Sequence, residues 1–395
     1  MERPIVSVII PTYNRAGIIG ETIENIFQQT YPNIEVIVVD DGSTDSTAQV
    51  IQTFKIKAIH LTHTRGASAC RNLAVKEAKG ELMGFTDSDC VAHPNWLKEL
   101  VPYFEEEKVG IVGGYVSNFY YRSALDRYED TKSSLNMGRH PFGAEDGKSS
   151  TAYVPSCNLI IRKKAFLEAG GFREDLNVGE DVDLCWRVRK LGYHLLYLPQ
   201  GEVKHKHRND VMPMLKRRFD YGTSEAILYS RHRDKRKMLY LPTPYSVFYT
   251  SICLGMILQY PLFFVFASGI LLIDFFRKQA KIKKNRLGVR SSKVFSAVLR
   301  SHFSFSYHSS SYLVRYYLIF FIALSFLYAK MWVFLLFLLI FSAIVDFSIK
   351  GPNVNFFYFF IFYVMDQLAY QAGVFWGCVV KKNFMPYVPI ILRNP

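Results

Sequence analysis

Residues 5–86 repeat one pattern, a short β-branched run followed by apolar positions at helical spacing. The run at 5–10 reads as a strand, and "NRAGIIGETIENIFQQ" after it sets Ile18, Ile19, Ile23, Ile26 and Phe27 on one helical stripe. Further strands are predicted at 34–40, 57–61 and 81–86. Helices are predicted at 44–54, opened by Ser43 or Thr44 as cap, and at 67–78, closed by Gly80. Such β-α-β-α order implies an α/β fold with a mostly parallel sheet covered on both faces and ligands at the carboxyl ends of the strands. No G-x-G-x-x-G follows the first strand, which disfavours a dinucleotide fold.

The pattern changes after residue 240. Residues 241–273 carry no charge, and 33 residues of helix reach ~50 Å, beyond the ~30 Å of a bilayer core. "QYP" at 259–261 interrupts this run, so a hairpin of two short helices competes with one long span. Apolar runs follow at 316–329 and 331–345 around Lys330, then at 351–380 with Asp366 and Gln367 inside. A membrane region is therefore predicted over 241–395, with the number of spans open.

Charge sharpens the division. Beyond residue 240 the only acids are Asp274, Asp346 and Asp366, against 15 Lys and Arg, so most of the formal +14 lies there. The basic segment 277–311 is predicted as a cytosolic linker that favours anionic headgroups under the positive-inside rule. The first ten residues lead directly into a strand without a signal pattern, which places 1–240 as a cytosolic domain held at the cell membrane. These cations sit among bilayer-length apolar runs, which argues against a nucleic-acid partner. Cys70, Cys90, Cys157, Cys185, Cys253 and Cys378 show no C-x-x-C pair and no zinc spacing, and read as packing residues.

Candidate chemistry gathers at strand ends. "VVDDGSTDST" ends a strand in Asp40 and Asp41, and "FTDSDC" sets Asp87 and Asp89 at the end of the fourth. If strand geometry persists, Asp87 and Asp89 face one ligand. Hard oxygen ligands there suit Mg²⁺ or Mn²⁺ carrying a diphosphate. Acids that merely cap the following helices are the alternative, and two pairs on one sheet edge favour the ligand.

With "PTYNR" and "RGASACRN" added, the chain resembles the nucleotide-sugar half of a family 2 glycosyltransferase of the GT-A fold, a Rossmann-like nucleotide-diphospho-sugar transferase. The resemblance implies a donor half at 1–118 and an acceptor half at 119–240. It implies that Tyr13 packs on the base, with Pro11 and Arg15 beside it, and that Asp41 accepts from the uracil imide of a UDP-sugar. Arg65, Asp87 and Ser88 would contact the nucleotide-sugar, and Asp89 the metal.

"LNVGEDVDLCWRVRKLG" holds an acid pair at the start of an amphipathic helix. An inverting transfer needs one carboxylate near the acceptor hydroxyl, and the family implies Asp181 as that base with Glu180 orienting acceptor or metal. Acids enriched by the helix dipole are the structural alternative, and both can hold. His205 and His207 are candidate third metal ligands or diphosphate contacts by the same resemblance. Arg217 and Arg218 are candidate acceptor or phosphate contacts, with headgroup anchoring as the alternative. Trp186 is a candidate core contact and also joins the candidate acceptor residues. The processive Q-x-x-R-W pattern is missing, which argues against a sugar-extruding channel.

"SALDRYEDTKSSLNMGRHP", "YVPSCNLIIRKKAF", "RRFDYGTSEAILYSRH" and "DQLAYQAGVFWGCVV" extend the resemblance to the mycofactocin-system glycosyltransferase subfamily. This implies transfer of glucose from UDP-glucose to a peptide-derived redox cofactor precursor. A polyprenyl-phosphate, glycolipid or surface-polysaccharide precursor is the competing, lipid-linked acceptor. A third possibility, a catalytically dead membrane scaffold that merely binds nucleotide, is disfavoured by the intact Asp41, Asp87, Asp89 and Asp181 set. Residues 123–150 are the acceptor-facing candidate. Within them 141–150 reads equally as a mobile loop or an ordinary surface loop.

Overall fold

The computed structural model describes residues 3–144, 151–207 and 210–392. The chain opens with β1 (Val6–Thr12), α1 (Ile19–Phe27), β2 (Ile34–Asp40), α2 (Thr47–Gln52), β3 (Lys57–His60), α3 (Ala67–Glu77) and β4 (Leu82–Phe85). It continues with β5 (Cys90–Ala92), α4 (Trp96–Leu100), β6 (Val109–Gly113), β7 (Val116–Asn118), α5 (Ala124–Lys132) and β8 (Phe142–Ala144). β9 (Leu159–Arg162), α6 (Lys163–Glu168), α7 (Glu180–Lys190), β10 (His194–Tyr197) and β11 (Val203–His205) complete the α/β part. The main sheet runs β3-β2-β1-β4-β9-β6-β10-β8.

This is the predicted α/β GT-A architecture, with a mixed sheet. β1 pairs in parallel with β2 and β4, whereas β9 runs antiparallel between β4 and β6. The reversed strand has a purpose: because Leu159 pairs with Phe85, the turn preceding β9 lies at the carboxyl end of β4. Apolar residues fill both faces, with Ile23, Val38 and Trp96 on one side and Ile9, Phe85 and Leu184 on the other. A second sheet, β5-β11-β7, sets His205 opposite Cys90.

Two local expectations shift. The helix predicted from residue 44 begins at Thr47, because the Ser43 hydroxyl donates to Asp40 and accepts from the Asn14 N–H instead of capping a helix. The fourth strand ends at Phe85, and the Cys90 N–H bonds the Asp87 carbonyl at 3.1 Å, so Asp87 and Asp89 sit in a turn rather than on a strand.

α8 (Val211–Arg231) leaves the α/β part, and β12 (Met238–Tyr240) precedes five more helices and a final strand. α9 (Thr243–Leu258) and α10 (Leu262–Lys284) form a hairpin, broken where Gln259 takes φ 54° ahead of Pro261. α11 (Ser291–Leu327), α12 (Met331–Lys350), α13 (Phe356–Lys381) and β13 (Ile390–Leu392) follow. Among the described residues α11 and α12 are the helices long and apolar enough to cross a membrane. Much of the predicted linker 277–311 is helix, since α10 continues to Lys284 and α11 starts at Ser291.

α8 and α13 touch backbone to backbone. A Cβ at Gly373 would run into the Phe219 carbonyl, and one at Gly222 into the Tyr370 carbonyl. The G-V-F-W-G spacing of Gly373 and Gly377 thus permits close helix approach, as small residues do between apolar helices. Buried polar pairs pin the contact. Arg218 bridges Glu129 at 2.5 Å and Asp366 at 3.1 Å, and Lys132 pairs with Asp346 at 2.5 Å. Of the segment 141–150, β8 takes 142–144, and 145–150 lie outside the described residues.

Candidate active site

The acid pair at the end of β2 is stable because each carboxylate has its own donors. Asp40 accepts from the Ser43 N–H at 3.1 Å and faces His60 Nδ1 at 3.2 Å. Asp41 accepts from the Arg65 and Gly66 N–H groups at 2.7 and 2.9 Å, anchoring the start of α3. Each Asp41 oxygen keeps a lone pair for a further donor. The Arg65 side chain turns away toward Glu174, 3.4 Å off.

A cleft of about 380 Å³ opens at the carboxyl ends of β1, β2 and β4. Pro11, Tyr13, Arg15 and Asp41 line one end of it, with Asp87, Ser88 and Asp89 next to them. Glu180, Asp181, His205, His207, Arg217 and Arg218 close the other side. Arg65 and Trp186 are not among the lining residues. Trp186 is buried with Leu228 and Tyr229, its ring edge-on to His232 at 5.2 Å, because it lies on the α7 face that packs against α8. That corrects its candidacy as an acceptor contact. Arg218 is likewise corrected as a headgroup anchor, since its guanidinium is buried between two carboxylates. A larger groove, about 1710 Å³, opens at the opposite sheet edge near Arg3, Lys57 and Arg162 and holds none of these residues.

Arg71 organises the centre of the cleft, and the motif reading passed over it. Its guanidinium is buried and reaches Asp87 at 2.6 Å and Glu180 at 3.1 Å, joining the turn after β4 to the start of α7. Burial alone would lower its pKa, but Asp87 and Glu180 raise it above the usual value. The available signal was its position, the lone charge in "ASACRNLAV" on a buried helix. Ser156 was also missed. From the turn before β9 its N–H donates to Asp181 at 3.2 Å and its hydroxyl to Glu180 at 3.4 Å.

Asp181 has the environment of a tunable base. Burial and then the neighbouring Glu180 charge push its carboxyl up to about 7, against the backbone donors of Val182 and Ser156 and the Arg71 cation. A proton acceptor of that pKa works near neutral pH.

Asp89 Oδ1 lies 3.5 Å from His205 Nε2. Adjacent ligands ~2.1 Å from one octahedral ion lie ~3 Å apart, so small adjustments would let both bind one divalent cation. With Cys90 these residues form a cluster whose ligand atoms all lie within 4.8 Å of one another. His205 Nδ1 is buried without a hydrogen-bond partner, further evidence of a polar site completed by something else. His207 stacks beside His205 at 4.6 Å, outside that cluster. Burial, then the charges of His205 and Arg218, hold its pKa well below the usual value, so it is neutral at pH 7.

The profile of Glycosyl transferase family 2 matches residues 7–170. The pre-mycofactocin glycosyltransferase of Mycobacterium tuberculosis is 34% identical over 234 residues, which cover 58% of this chain and 48% of that one. This chain thus spans about half the length of that relative. Glycosyltransferase AglE of Haloferax volcanii is 30% identical over 231 residues, covering 56% of this chain and 73% of AglE. Among solved structures, the mannosyltransferase PcManGT from Pyrobaculum calidifontis, in complex with GDP-Man and Mn²⁺, is 21% identical over 89% of each chain, with a TM-score of 0.47. On the profile and the similarity to AglE, the chain belongs to glycosyltransferase family 2.

Proposed function

We propose that the chain is a metal-dependent, inverting hexosyltransferase that moves a hexose, glucose first among candidates, from a UDP-sugar to an acceptor hydroxyl. The observation that carries this is one cleft in which Arg71 ties Asp87 to Glu180 while Asp181 and the Asp89–His205 pair face the same space. In this reading 1–118 form the donor half. Tyr13, 45% exposed at the rim, stacks on the base, and Asp41 accepts a hydrogen bond from the uracil imide N–H on a spare lone pair. Asp87, held by Arg71, receives the ribose.

Asp89 and His205 would hold Mg²⁺ or Mn²⁺, which when bound offsets charge on the departing diphosphate. Asp181 accepts the acceptor hydroxyl proton as the acceptor oxygen bonds the anomeric carbon. The bond from that carbon to UDP breaks in the same step, leaving UDP with the electron pair. Arg217 lies at the rim over Tyr221, 4.8 Å from the ring, available to an anionic group.

For the acceptor, similarity to the pre-mycofactocin enzyme supports a peptide-derived cofactor precursor. A second reading, a polyprenyl-phosphate, glycolipid or surface-polysaccharide precursor, gains support from the acceptor wall. α5 and α8 form that wall, and both pack on α13 of the apolar region, where a lipid-linked acceptor would arrive. The catalytic part would lie on the cytoplasmic side of the cell membrane. Mass spectrometry of mycofactocin precursor incubated with protein, divalent metal and a panel of UDP-sugars tests this. A ladder of hexose increments with one donor is expected. Metal-dependent donor hydrolysis without a ladder moves the acceptor to lipid, and no donor turnover with any UDP-sugar refutes the proposal.

A further inference from the structure

The exposed apolar surface of the C-terminal region is large, and the helix directions decide how a membrane meets it. α13 runs parallel to α8: Arg218 meets Asp366, Thr223 meets Gly377, and the Asn383 amide donates to the Ala226 carbonyl at 2.6 Å. α11 runs parallel to α13, since Arg315 approaches Gln367 and the Ile319 N–H donates to Gln371 at 2.7 Å. α12 returns antiparallel beside α11, with Tyr307 bonded to Asp346 at one end and Phe326 against Trp332 at the other.

α8 is not free to enter lipid. Its first turns line the cleft through Met214, Arg217 and Tyr221. Its last turn packs on α7 and the segment before it, where Arg231 pairs with Asp175 and the following His232 faces Asp183 on α7 at 2.8 Å. The α/β part therefore flanks α8 along its whole length, ~31 Å for 21 residues. If α11, α12 and α13 stood upright in a bilayer, α8 and the cleft that its first turns line would lie beside them at hydrocarbon depth. Charges there are expensive.

We infer that the C-terminal helices lie in the plane of one anionic leaflet and that neither α11 nor α12 crosses the bilayer. The outer face of α12 is a stripe at helical spacing, Val333, Phe337, Ile340 and Ile344, exposed along the helix rather than at one end. With Leu335, Leu338 and Leu339 packed in the core, this is the face α12 has left for lipid, and with α8 held against the α/β part it meets the leaflet from the side. The turn between α11 and α12 holds Tyr328 and Lys330, and Trp332 follows in the first turn of α12, residue types favoured at the headgroup boundary. Eight Lys and Arg with no acid between 277 and 293 supply the attraction to anionic lipid. The inference rests on the membrane reading given above and specifies its geometry.

The test uses the full chain in inside-out membrane vesicles, whose cytosolic face is outward. Lys330→Cys and Lys98→Cys are compared in a Cys253→Ser background, because the other five cysteines are buried. Lys98 is exposed on α4 and reports the side of the catalytic part. A membrane-impermeant maleimide is added outside. Both variants are expected to react at rates within a few-fold of each other before detergent. Labelling of Lys98→Cys with Lys330→Cys protected until detergent is added overturns the in-plane arrangement while keeping membrane attachment. A chain absent from the vesicle fraction overturns both.

Discussion

Replacing Arg71 with Met removes the cation that joins the two halves of the cleft. The side chain is 3% exposed and sits 2.6 Å from Asp87 and 3.1 Å from Glu180, so two partly buried carboxylates lose their shared partner. Breaking a buried ion pair from one side costs ~3–5 kcal/mol. Lys in place of Arg keeps the charge but not the fork that reaches both acids, and is expected to recover only part of the loss. Chemistry should shift as well, because burial and Glu180 raise the Asp181 pKa and the Arg71 cation is among the groups that hold it to about 7. A base must be deprotonated, so wild-type turnover should fall as pH drops through about 7, and in Arg71→Met that acid limb should move to higher pH. The assays are thermal unfolding of the full chain in detergent and the pH dependence of kcat/KM for UDP-sugar turnover. An unchanged melting temperature together with an unmoved acid limb would refute the assigned role of Arg71.

Three other outcomes follow from particular contacts. Asp89→Asn should lose metal-stimulated turnover and weaken Mn²⁺ binding measured by electron paramagnetic resonance, with circular dichroism unchanged; full metal stimulation would remove Asp89 from the site. Gly373→Ala drives a methyl into the Phe219 carbonyl and should cost ~1–3 kcal/mol, read as a lower melting temperature. Trp186→Phe, outside the cleft, should leave turnover within about twofold while lowering stability, because a buried ring is made smaller.

Much of the donor half was legible because its order is local. Strand 34–40 matches β2 residue for residue, and the β-α alternation placed the Asp41 and Asp87 ends on one sheet edge. What stayed hidden depended on partners far along the chain. Asp89 and His205 were named as metal candidates by the family resemblance alone, and what brings them together is the pairing of β5 with β11 in a separate small sheet across more than 100 residues, which no spacing announces. Arg218 looked like a basic surface run, yet Asp366 lies 148 positions away and turns it into a buried brace. Asp366 and Gln367 read as interruptions of an apolar span, and together with Gln371 they are instead the face by which α13 docks on its neighbours. Arg71 sat inside a recognised motif, where its single charge among small residues was the only sign of a structural partner.

The most direct test of the catalytic assignment compares wild type with Asp181→Asn on one preparation, measuring UDP binding by calorimetry with Mn²⁺ present and hexose transfer by mass spectrometry. The account predicts that UDP affinity is kept and transfer is lost. Transfer by Asp181→Asn at the wild-type rate would contradict it.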